Sequence, residues 1–406
     1  MSTLSIEQIK ESFPVLQQQV HGKDLVYMDN AATTQKPQVV LDCLNNFYCK
    51  DYATVHRGAY LLSEKATSLF EAVRGKVAQF INAQKEKEII YVKGTTEAIN
   101  LVANSWGRKN LKEGDEVLIS AMEHHANIVP WQMVCEDVGA VLKVIPMDDK
   151  GELIMEEFYA LLSERTKFVS VVHVSNALGT INPVKEICQA AKSVGAVSLV
   201  DGAQSTAHMK VDVQDMGCDF FAFSSHKIYG PSGAGALYGR YELLKAMPPW
   251  QGGGDMIYTV SFEKTEYADP PARFEAGTPA ITEIIGMGAA IDYLSSLGMD
   301  FVAEKEDELL RYGTAALKEI EGLRLIGEAS KKAGVLSFVL DKAHPHDIAT
   351  IVDGEGVSIR AGHHCAQPVM TRFNIPATAR ASLAIYNTKK DIDALVRALR
   401  IVNDIF

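Results

Sequence analysis

The sequence of 406 residues has no apolar run of the ~18 residues that a helix needs to cross a membrane. It also lacks internal repeats and low-complexity tracts. Its first residues do not form the basic region and apolar run of a secretory signal, because Ser5–Lys10 shows a capping-box pattern with an acidic residue. We therefore predict a cytoplasmic protein that does not associate with a membrane.

Cysteine is also scarce. No two cysteines form a CxxC pair, so the spacing predicts neither a disulfide framework nor a zinc site, and a reducing compartment fits best. The adjacent His124 and His125 do not change this, since neighbouring side chains at a strand end point apart and no ligand set with zinc spacing accompanies them. We expect no metal site. The cysteines are Cys43, Cys49, Cys135, Cys188, Cys218 and Cys365.

Basic residues are fewer than acidic residues. The chain has 40 basic and 51 acidic residues, which gives a formal charge of −11 and argues against a nucleic-acid-binding surface. A small anionic substrate would therefore need locally placed arginines. With 47% hydrophobic residues, the chain can bury a large core, and its length predicts one large α/β unit plus a smaller one.

Short apolar runs alternate with amphipathic stretches over the first two thirds of the chain, which predicts a mainly parallel sheet. Residues 247–279 are rich in proline, glycine and aromatic residues, so we expect an interface or active-site rim there. A helix from Ile281 to about Leu297 leads into a second unit. The predicted strands are Ile89–Val92, Val117–Ser120, Val141–Ile145, Phe168–His173, Val197–Val200 and Phe220–Phe223, then Leu323–Ile326, Val335–Leu340, Val357–Arg360 and Ala379–Leu383.

One lysine stands where a strand ends. Lys227 follows the apolar run Phe220–Phe223 and precedes the glycine-rich segment 230–235. A lone lysine in such a place usually extends to solvent. Partial desolvation would instead lower its pKa and free the amine to attack a carbonyl, such as that of pyridoxal phosphate. The neighbouring motifs favour this second interpretation.

Three further segments fit that cofactor. Asp201 ends the predicted strand Val197–Val200, where a carboxylate can hold a pyridinium nitrogen protonated, although an Asp-Gly pair is also common in turns. The segment Gly94-Thr95-Thr96 opens a helix that we expect to continue to about Trp106, and its free N–H groups attract an anion. His124 follows another strand and could stack on the ring and move protons.

These motifs together resemble known enzymes. The segments Asp201-Gly-Ala-Gln204, Ser224-Ser-His-Lys227 and Arg273-Phe-Glu-Ala-Gly-Thr278-Pro resemble fold-type I pyridoxal-phosphate enzymes of the cysteine desulfurase class. The segment Arg360-Ala-Gly-His-His-Cys365-Ala is similar to the SufS type, or group II. The resemblance runs from the Tyr27-Met-Asp-Asn-Ala-Ala-Thr segment to the C-terminal helix.

The resemblance implies a fold and its domains. We expect a fold-type I transferase with a large domain, built on a mainly parallel sheet of seven strands, and a smaller α+β C-terminal domain. Residues 1–22 would form an N-terminal helical arm that packs with the small domain. Residues 23–285 would form the large cofactor-binding domain, and residues 286–406 the small domain that carries the nucleophile loop.

The resemblance also implies the roles of individual residues. Lys227, Cys365 and His124 are expected to be catalytic, with Cys365 attacking the substrate sulfur. The expected cofactor-binding residues are Thr95, Thr96, His124, Asp201, Gln204, Ser224, His226, Lys227, Gly277 and Thr278. The expected substrate-binding residues are Asn176, Arg360, Arg380, His56 and Arg57. Arg380 would be costly beside an apolar run without an anionic partner, which fits a clamp on a substrate carboxylate, although a structural ion pair is an alternative.

The implied reaction converts L-cysteine to L-alanine and leaves a persulfide on Cys365. Gly277 and Thr278 are expected to reach a partner subunit's phosphate, which implies a homodimer. A SufE- or SufU-like acceptor would carry the sulfur to iron–sulfur cluster assembly. Selenocysteine lyase, a kynureninase-like hydrolase and an aminotransferase remain alternatives, because the site near Lys227 would look much the same in them. A non-enzymatic sulfur carrier is disfavoured because Lys227, Asp201 and Cys365 are all present.

Overall fold

A computed structural model describes residues 5–406 of the chain. The central element is a sheet of seven strands. Gly235–Gly239 runs antiparallel to both of its neighbours, and the remaining strand pairs are parallel. The fold class predicted from the sequence is therefore confirmed. The strands in spatial order are Ile89–Val92, Gly235–Gly239, Phe220–Ser224, Val197–Asp201, Thr166–Val172, Glu116–Ser120 and Val141–Ile145.

Helices cover both faces of this sheet, which is why most of its strands read as continuous apolar runs. The helix opened by Gly94 comprises the α-helix Thr95–Val102, the π-helical turn Ala103–Gly107 and Arg108–Asn110, so it extends slightly beyond the predicted end. The other α-helices in the described chain are Ile6–Glu11, Gln38–Asn46, Leu61–Phe80, Val129–Val138, Met155–Leu161, Val184–Ser193, Ser205–His208, Val213–Met216, Tyr241–Ala246, Ile281–Leu297, Met299–Lys318, Pro345–Gly354, Gln367–Arg372 and Lys389–Ile405.

The strand Gly235–Gly239 was not predicted. Its sequence begins and ends in glycine and follows a glycine-rich turn, so it reads as a loop. Glycine is required at its start because a Cβ atom on Gly235 would lie 2.6 Å from the carbonyl oxygen of Phe223 and 2.8 Å from the Cα atom of Gly94. The close approach brings the Lys227 turn and the Gly94 turn together.

The C-terminal part forms a second sheet of four antiparallel strands. In spatial order they are Leu323–Ile326, Val335–Leu340, Thr378–Ser382 and Arg360–Gly362. The predicted strand Val357–Arg360 is divided: Val357–Ser358 pairs in parallel with Val26–Tyr27, and Arg360 begins the edge strand of the four. Arg360 and Arg380 lie directly opposite each other on neighbouring strands.

The N-terminal segment contacts both parts of the molecule. Phe13 packs edge-on against Tyr229 of the large sheet region and against Tyr386, with ring centroids 5.7 and 4.7 Å apart respectively. Lys10 forms an ion pair with Asp391 at 2.8 Å. Since Val26–Tyr27 pairs with a strand of the second unit, the chain still lies against that unit at residue 27. The domain boundaries stay a prediction.

The proline- and glycine-rich segment contains a two-stranded hairpin, Ile257–Val260 with Thr265–Tyr267, which was not predicted. Its residues are largely exposed, so no alternating pattern marks it. Within residues 5–406 we find no helix that is both long and apolar enough to span a bilayer.

Candidate active site

A cavity of about 220 Å³ lies at the carboxyl ends of the parallel strands, where α/β sheets bind ligands. Lys227 lies in the turn after Phe220–Ser224, and Asp201 ends the neighbouring strand. Cys365 reaches the cavity from the second unit, so the site lies between the two sheets. The predicted residues that line it are Thr95, Thr96, His124, Asn176, Asp201, Gln204, Ser224, His226, Lys227, Arg360, Cys365 and Arg380.

Lys227 lies in a short 3₁₀ turn that is held by hydrogen bonds from the segment Thr33–Thr34. The carbonyl oxygen of His226 accepts hydrogen bonds from the backbone N–H of Thr34 and from the hydroxyl of Thr33. The Lys227 amine faces the cavity but is otherwise surrounded by protein, and this burial lowers its pKa to about 8. The charge of Asp201 raises this pKa, whereas the charge of Arg380 lowers it further. About a tenth of the amine is therefore neutral at pH 7, far more than for an ordinary lysine.

Asp201 is buried at the end of its strand. Burial raises the pKa of its carboxyl group, and a 2.9 Å hydrogen bond from the backbone N–H of Ala203, together with the charge of Lys227, opposes that rise. Such a carboxylate is stabilised by a cation placed beside it. Gln204, three residues on, is held by a 2.7 Å bond from its Nε2 to the carbonyl oxygen of Ala31.

Hydroxyl groups and free N–H groups gather at the start of the helix Thr95–Val102. The Ser224 hydroxyl lies 2.9 Å from both the backbone nitrogen and the hydroxyl of Thr95. Gly94 has a φ of +155°, a conformation that favours glycine, and a Cβ atom there would approach Ser224 Oγ to 3.1 Å. The helix start and these hydroxyls make one side of the cavity suitable for a phosphate group.

His124 is held in one tautomer by the backbone. Its Nδ1 accepts a hydrogen bond from the backbone N–H of Ala126 at 3.0 Å, so the proton of the neutral ring lies on Nε2. Burial, with Lys227 as the next cause, lowers its pKa to about 4. His124 is therefore neutral at pH 7 and can donate a hydrogen bond through Nε2.

Arg380 is buried, with 2% of its side chain exposed. Its Nη1 donates to the carbonyl oxygen of Asn176 at 2.9 Å, and its Nη2 donates to Asp29 Oδ1 at 3.0 Å. The Nε atom has no hydrogen-bond partner among the described residues. Arg360 also pairs with Asp29, with Nε 3.0 Å from Oδ2. Asp29 belongs to a motif that we noted in the sequence, but no role was assigned to it.

The loop that carries Cys365 has an uncommon backbone. His364 and Cys365 both have a φ of +54°, the left-handed region that residues other than glycine rarely adopt. Asn176 Nδ2 donates to the carbonyl oxygen of His364 at 2.6 Å, and the backbone N–H of His125 donates to that of Cys365 at 2.7 Å. His125 Nε2 also accepts from the backbone N–H of Gln367. No sequence signal marks this role of His125.

Four predicted residues lie elsewhere. His56, Arg57, Gly277 and Thr278 line a different cavity, of about 610 Å³, which the Lys227 cavity residues do not share. There His56 Nε2 lies 2.7 Å from Glu71 Oε1, and Arg57 Nη2 lies 2.8 Å from Asp255 Oδ1. Within one chain these residues are not brought to Lys227, so their contribution to a cofactor or substrate site stays a prediction.

Comparison with known proteins places the chain in a family. The model of the family described as aminotransferase class-V matches residues 26–395, which is most of the chain. The chain belongs to the class-V aminotransferase family. Pyridoxal phosphate is the cofactor of this family, as the sequence predicted.

Several curated relatives are about half identical to the chain. A cysteine desulfurase of Synechococcus elongatus is 53% identical over 97% of the chain, but the chain covers only 63% of its length. A cysteine desulfurase of Dickeya dadantii is also 53% identical, over 97% of the chain and 96% of the relative. The chain is thus about as long as some of these relatives and shorter than others.

Solved structures of class-V members superpose on nearly the whole chain. The apo cysteine desulfurase of Thermococcus onnurineus NA1 has a TM-score of 0.95 and 38% identity, with all of both chains covered. The cysteine desulfurase CsdA of Escherichia coli, described in an S-sulfonic acid form, has a TM-score of 0.92 and 37% identity, with 99% of each chain covered.

Proposed function

We propose that the chain is a pyridoxal-phosphate-dependent cysteine desulfurase that converts L-cysteine to L-alanine and forms a persulfide on Cys365. The observation that carries this proposal is that Lys227, Asp201, Arg380 and Cys365 line one cavity. The relatives at 51–53% identity that are named cysteine desulfurases support it. An aminotransferase would need the lysine, aspartate and arginine, but it has no use for a thiol at that position.

The cavity residues fit the cofactor chemically. Its phosphate would be held by the start of the helix Thr95–Val102 and by the hydroxyls of Thr95 and Ser224. Its ring nitrogen would be held by Asp201, whose buried carboxyl group has a raised pKa and no cation bonded to it among residues 5–406. Lys227 would hold its aldehyde group covalently through the side-chain amine. Thr96, His226 and Gln204 would complete the contacts.

When bound, the cofactor supplies an electron sink for the pair released from the substrate Cα–H bond. The lowered pKa of Lys227 suits its neutral amine to accept the Cα proton. Arg380, whose Nε has no partner among residues 5–406, would bind the substrate carboxylate and fix the substrate's orientation. Asn176, whose Oδ1 is buried without a partner in the described structure, would be a second contact.

The residue proposed for the sulfur step, Cys365, lies in the second unit. The Cys365 thiolate would attack the substrate sulfur, so that a sulfur–sulfur bond forms and the carbon–sulfur bond breaks. The electron pair of the broken bond stays on carbon, which takes up a proton to give alanine. Neutral His124 would donate a hydrogen bond through Nε2, and the Lys227 amine, protonated once it has accepted the Cα proton, would supply a proton to carbon. Arg360, near Cys365 in the cavity, would guide the substrate or support the loop.

The subtype and partners are part of the same proposal. The segment around Cys365 supports a SufS-like, group II enzyme. A homodimer is proposed in which His56, Arg57, Gly277 and Thr278 meet the partner subunit's site, because they line a cavity apart from Lys227. The persulfide would pass to a SufE- or SufU-like acceptor for iron–sulfur cluster assembly in the cytoplasm.

The direct test loads the purified protein with pyridoxal phosphate and adds L-cysteine. We expect a Schiff-base absorbance band, formation of L-alanine, and one extra sulfur on Cys365 after trapping with an alkylating reagent. Cys365→Ala should keep the absorbance band and lose about a hundredfold or more of alanine formation. Cys49→Ala is the matched control, since Cys49 is another exposed free cysteine and lies outside the cavity.

The Cys365→Ala variant also distinguishes a cysteine desulfurase from a selenocysteine lyase. Selenium is a better leaving group than sulfur, so release of selenium from L-selenocysteine needs less help from a thiol. Cys365→Ala should therefore retain much of any selenocysteine lyase activity while it loses cysteine desulfuration. Alanine formation from cysteine at the wild-type rate in Cys365→Ala would contradict the proposed sulfur step.

A further inference from the structure

Two like charges face each other beside the cavity. Arg360 and Arg380 are directly opposite on neighbouring antiparallel strands, an arrangement in which like charges destabilise each other. Asp29 lies between their guanidinium groups, 3.0 Å from Arg360 Nε and 3.0 Å from Arg380 Nη2. The three side chains together carry one net positive charge.

The position of Asp29 is fixed by its backbone. Asp29 forms a parallel β-bridge with Ser382, and the carbonyl oxygen of Met28 accepts a 2.7 Å hydrogen bond from the Ser382 N–H. Its side chain is only 18% exposed, and that of Arg380 is 2% exposed. Because water screens Asp29 and Arg380 poorly, their charges act more strongly on a ligand than surface charges would, whereas the Arg360 side chain is 46% exposed.

The net charge of this trio matches one carboxylate, and Arg380 keeps a donor for it. Arg380 Nη1 and Nη2 already have partners in Asn176 and Asp29, whereas Nε is buried without one in the described structure. Arg360 is engaged through its Nε by both oxygens of Asp29. One carboxylate brings the trio to zero net charge, and a second acidic group would add a net negative charge beside Asp29.

We propose that Asp29 sets the specificity of the site for amino acids with a single carboxylate. It does so by holding the arginine pair at one net positive charge. This inference rests on the proposed function, because it takes Arg380 as the binding group for the substrate carboxylate. Asp29 is a positioning residue, since it acts through the two arginines.

The test measures amino-acid binding to the holoenzyme by titrating the cofactor absorbance. L-Alanine has one carboxylate, L-aspartate has two, and L-asparagine has nearly the shape of aspartate without its second charge. In Asp29→Asn the affinity for aspartate relative to alanine should rise on the order of tenfold. The affinity for asparagine relative to alanine should change little. A purely structural loss of fit would weaken both larger ligands alike.

Two variants control for the charge itself. Asp29→Glu keeps the charge and should keep the wild-type preference against aspartate. Asp307→Asn removes one charge from an exposed ion pair with Arg311 on the helix Met299–Lys318 and should leave the preference unchanged. If Asp29→Asn does not fold, Arg360→Gln provides the second measurement: it removes one positive charge, so the preference against aspartate should increase.

An unchanged aspartate-to-alanine preference in Asp29→Asn, including no detectable aspartate binding to that variant, would overturn the inference. A shift of the preference toward aspartate in Arg360→Gln would also overturn the inference. Failure of the proposed function is a separate result, namely no alanine from L-cysteine in the wild type. The binding titration needs no sulfur chemistry, so the two failures can be told apart.

Discussion

Lys227 and Lys332 are two lysines with the same lowered pKa in different surroundings. Burial lowers the pKa of each to about 8. Lys332 donates a hydrogen bond to the carbonyl oxygen of Gly327 and does not line the cavity, whereas Lys227 faces it. A lowered pKa alone therefore does not mark the reactive amine. The reactive amine is instead marked by its position in the cavity and by the neighbouring carboxylate of Asp201.

This pair gives a prediction for loading with pyridoxal phosphate. Only the neutral amine attacks an aldehyde, so the rate should rise with pH and level off above about pH 8. At pH 7 about a tenth of a lysine with a pKa of 8 is neutral, against about one in three thousand of an ordinary lysine. Stopped-flow absorbance of the apoprotein from pH 6 to 10 measures this profile.

Lys332→Met is the matched control and should retain both the loading rate and its pH profile. Lys227→Ala should form no Schiff base at any pH, while it still binds some cofactor noncovalently through the phosphate. A rate that continues to rise toward pH 10.5 would show that Lys227 has an ordinary pKa.

At the scale of elements, the apolar runs predicted most strands within one or two residues. Lys227 and Asp201 could be predicted to lie close together because parallel strands bring their carboxyl ends to one edge. Two elements could not be predicted, because glycine and exposed residues carry no apolar period. They are the strand Gly235–Gly239 and the hairpin Ile257–Val260 with Thr265–Tyr267. Asp29 was also missed, because its role depends on pairing with Arg360 and Arg380, more than 300 residues away in sequence.

The Cys365 loop is an element that depends on external hydrogen bonds. Its two left-handed residues cost energy, and Asn176, the His125 backbone and the His125 ring help to hold it. In His125→Ala the backbone bond remains, but the ring bond to the Gln367 N–H is lost. A hydrogen bond of this kind contributes about 0.5–1.5 kcal/mol, which corresponds to about a two- to tenfold change in loop population.

We therefore expect His125→Ala to reduce persulfide formation on Cys365 by about two- to tenfold without changing the cofactor absorbance. Single-turnover kinetics with L-cysteine, followed by alkylation and mass spectrometry, measures this step. His346→Ala is a suitable control, because His346 is exposed at the start of the helix Pro345–Gly354. Equal persulfide rates in His125→Ala and wild type would show that the ring does not support the loop.

At the scale of the whole molecule, the predicted cofactor residues fall into two groups. Most line the Lys227 cavity, whereas Gly277 and Thr278, with His56 and Arg57, line another. Large apolar side chains near this second group are exposed, among them Tyr60, Leu61 and Leu62 at the start of the helix Leu61–Phe80. Such exposure on one part of a chain is typical of a surface that another subunit covers.

The proposed homodimer can be tested by subunit exchange. If Thr278 serves the partner's site, a Lys227→Ala subunit paired with a Thr278→Ala subunit contains one site with both lesions and one with neither. Each single variant should be impaired alone, and the mixture should recover up to about half of the wild-type activity per heterodimer. The control mixes Lys227→Ala with the double variant Lys227→Ala/Thr278→Ala, in which no site keeps its lysine. Because exchange itself can be verified by mass tags on the two subunits, recovery in neither mixture would mean that each site is built from one chain.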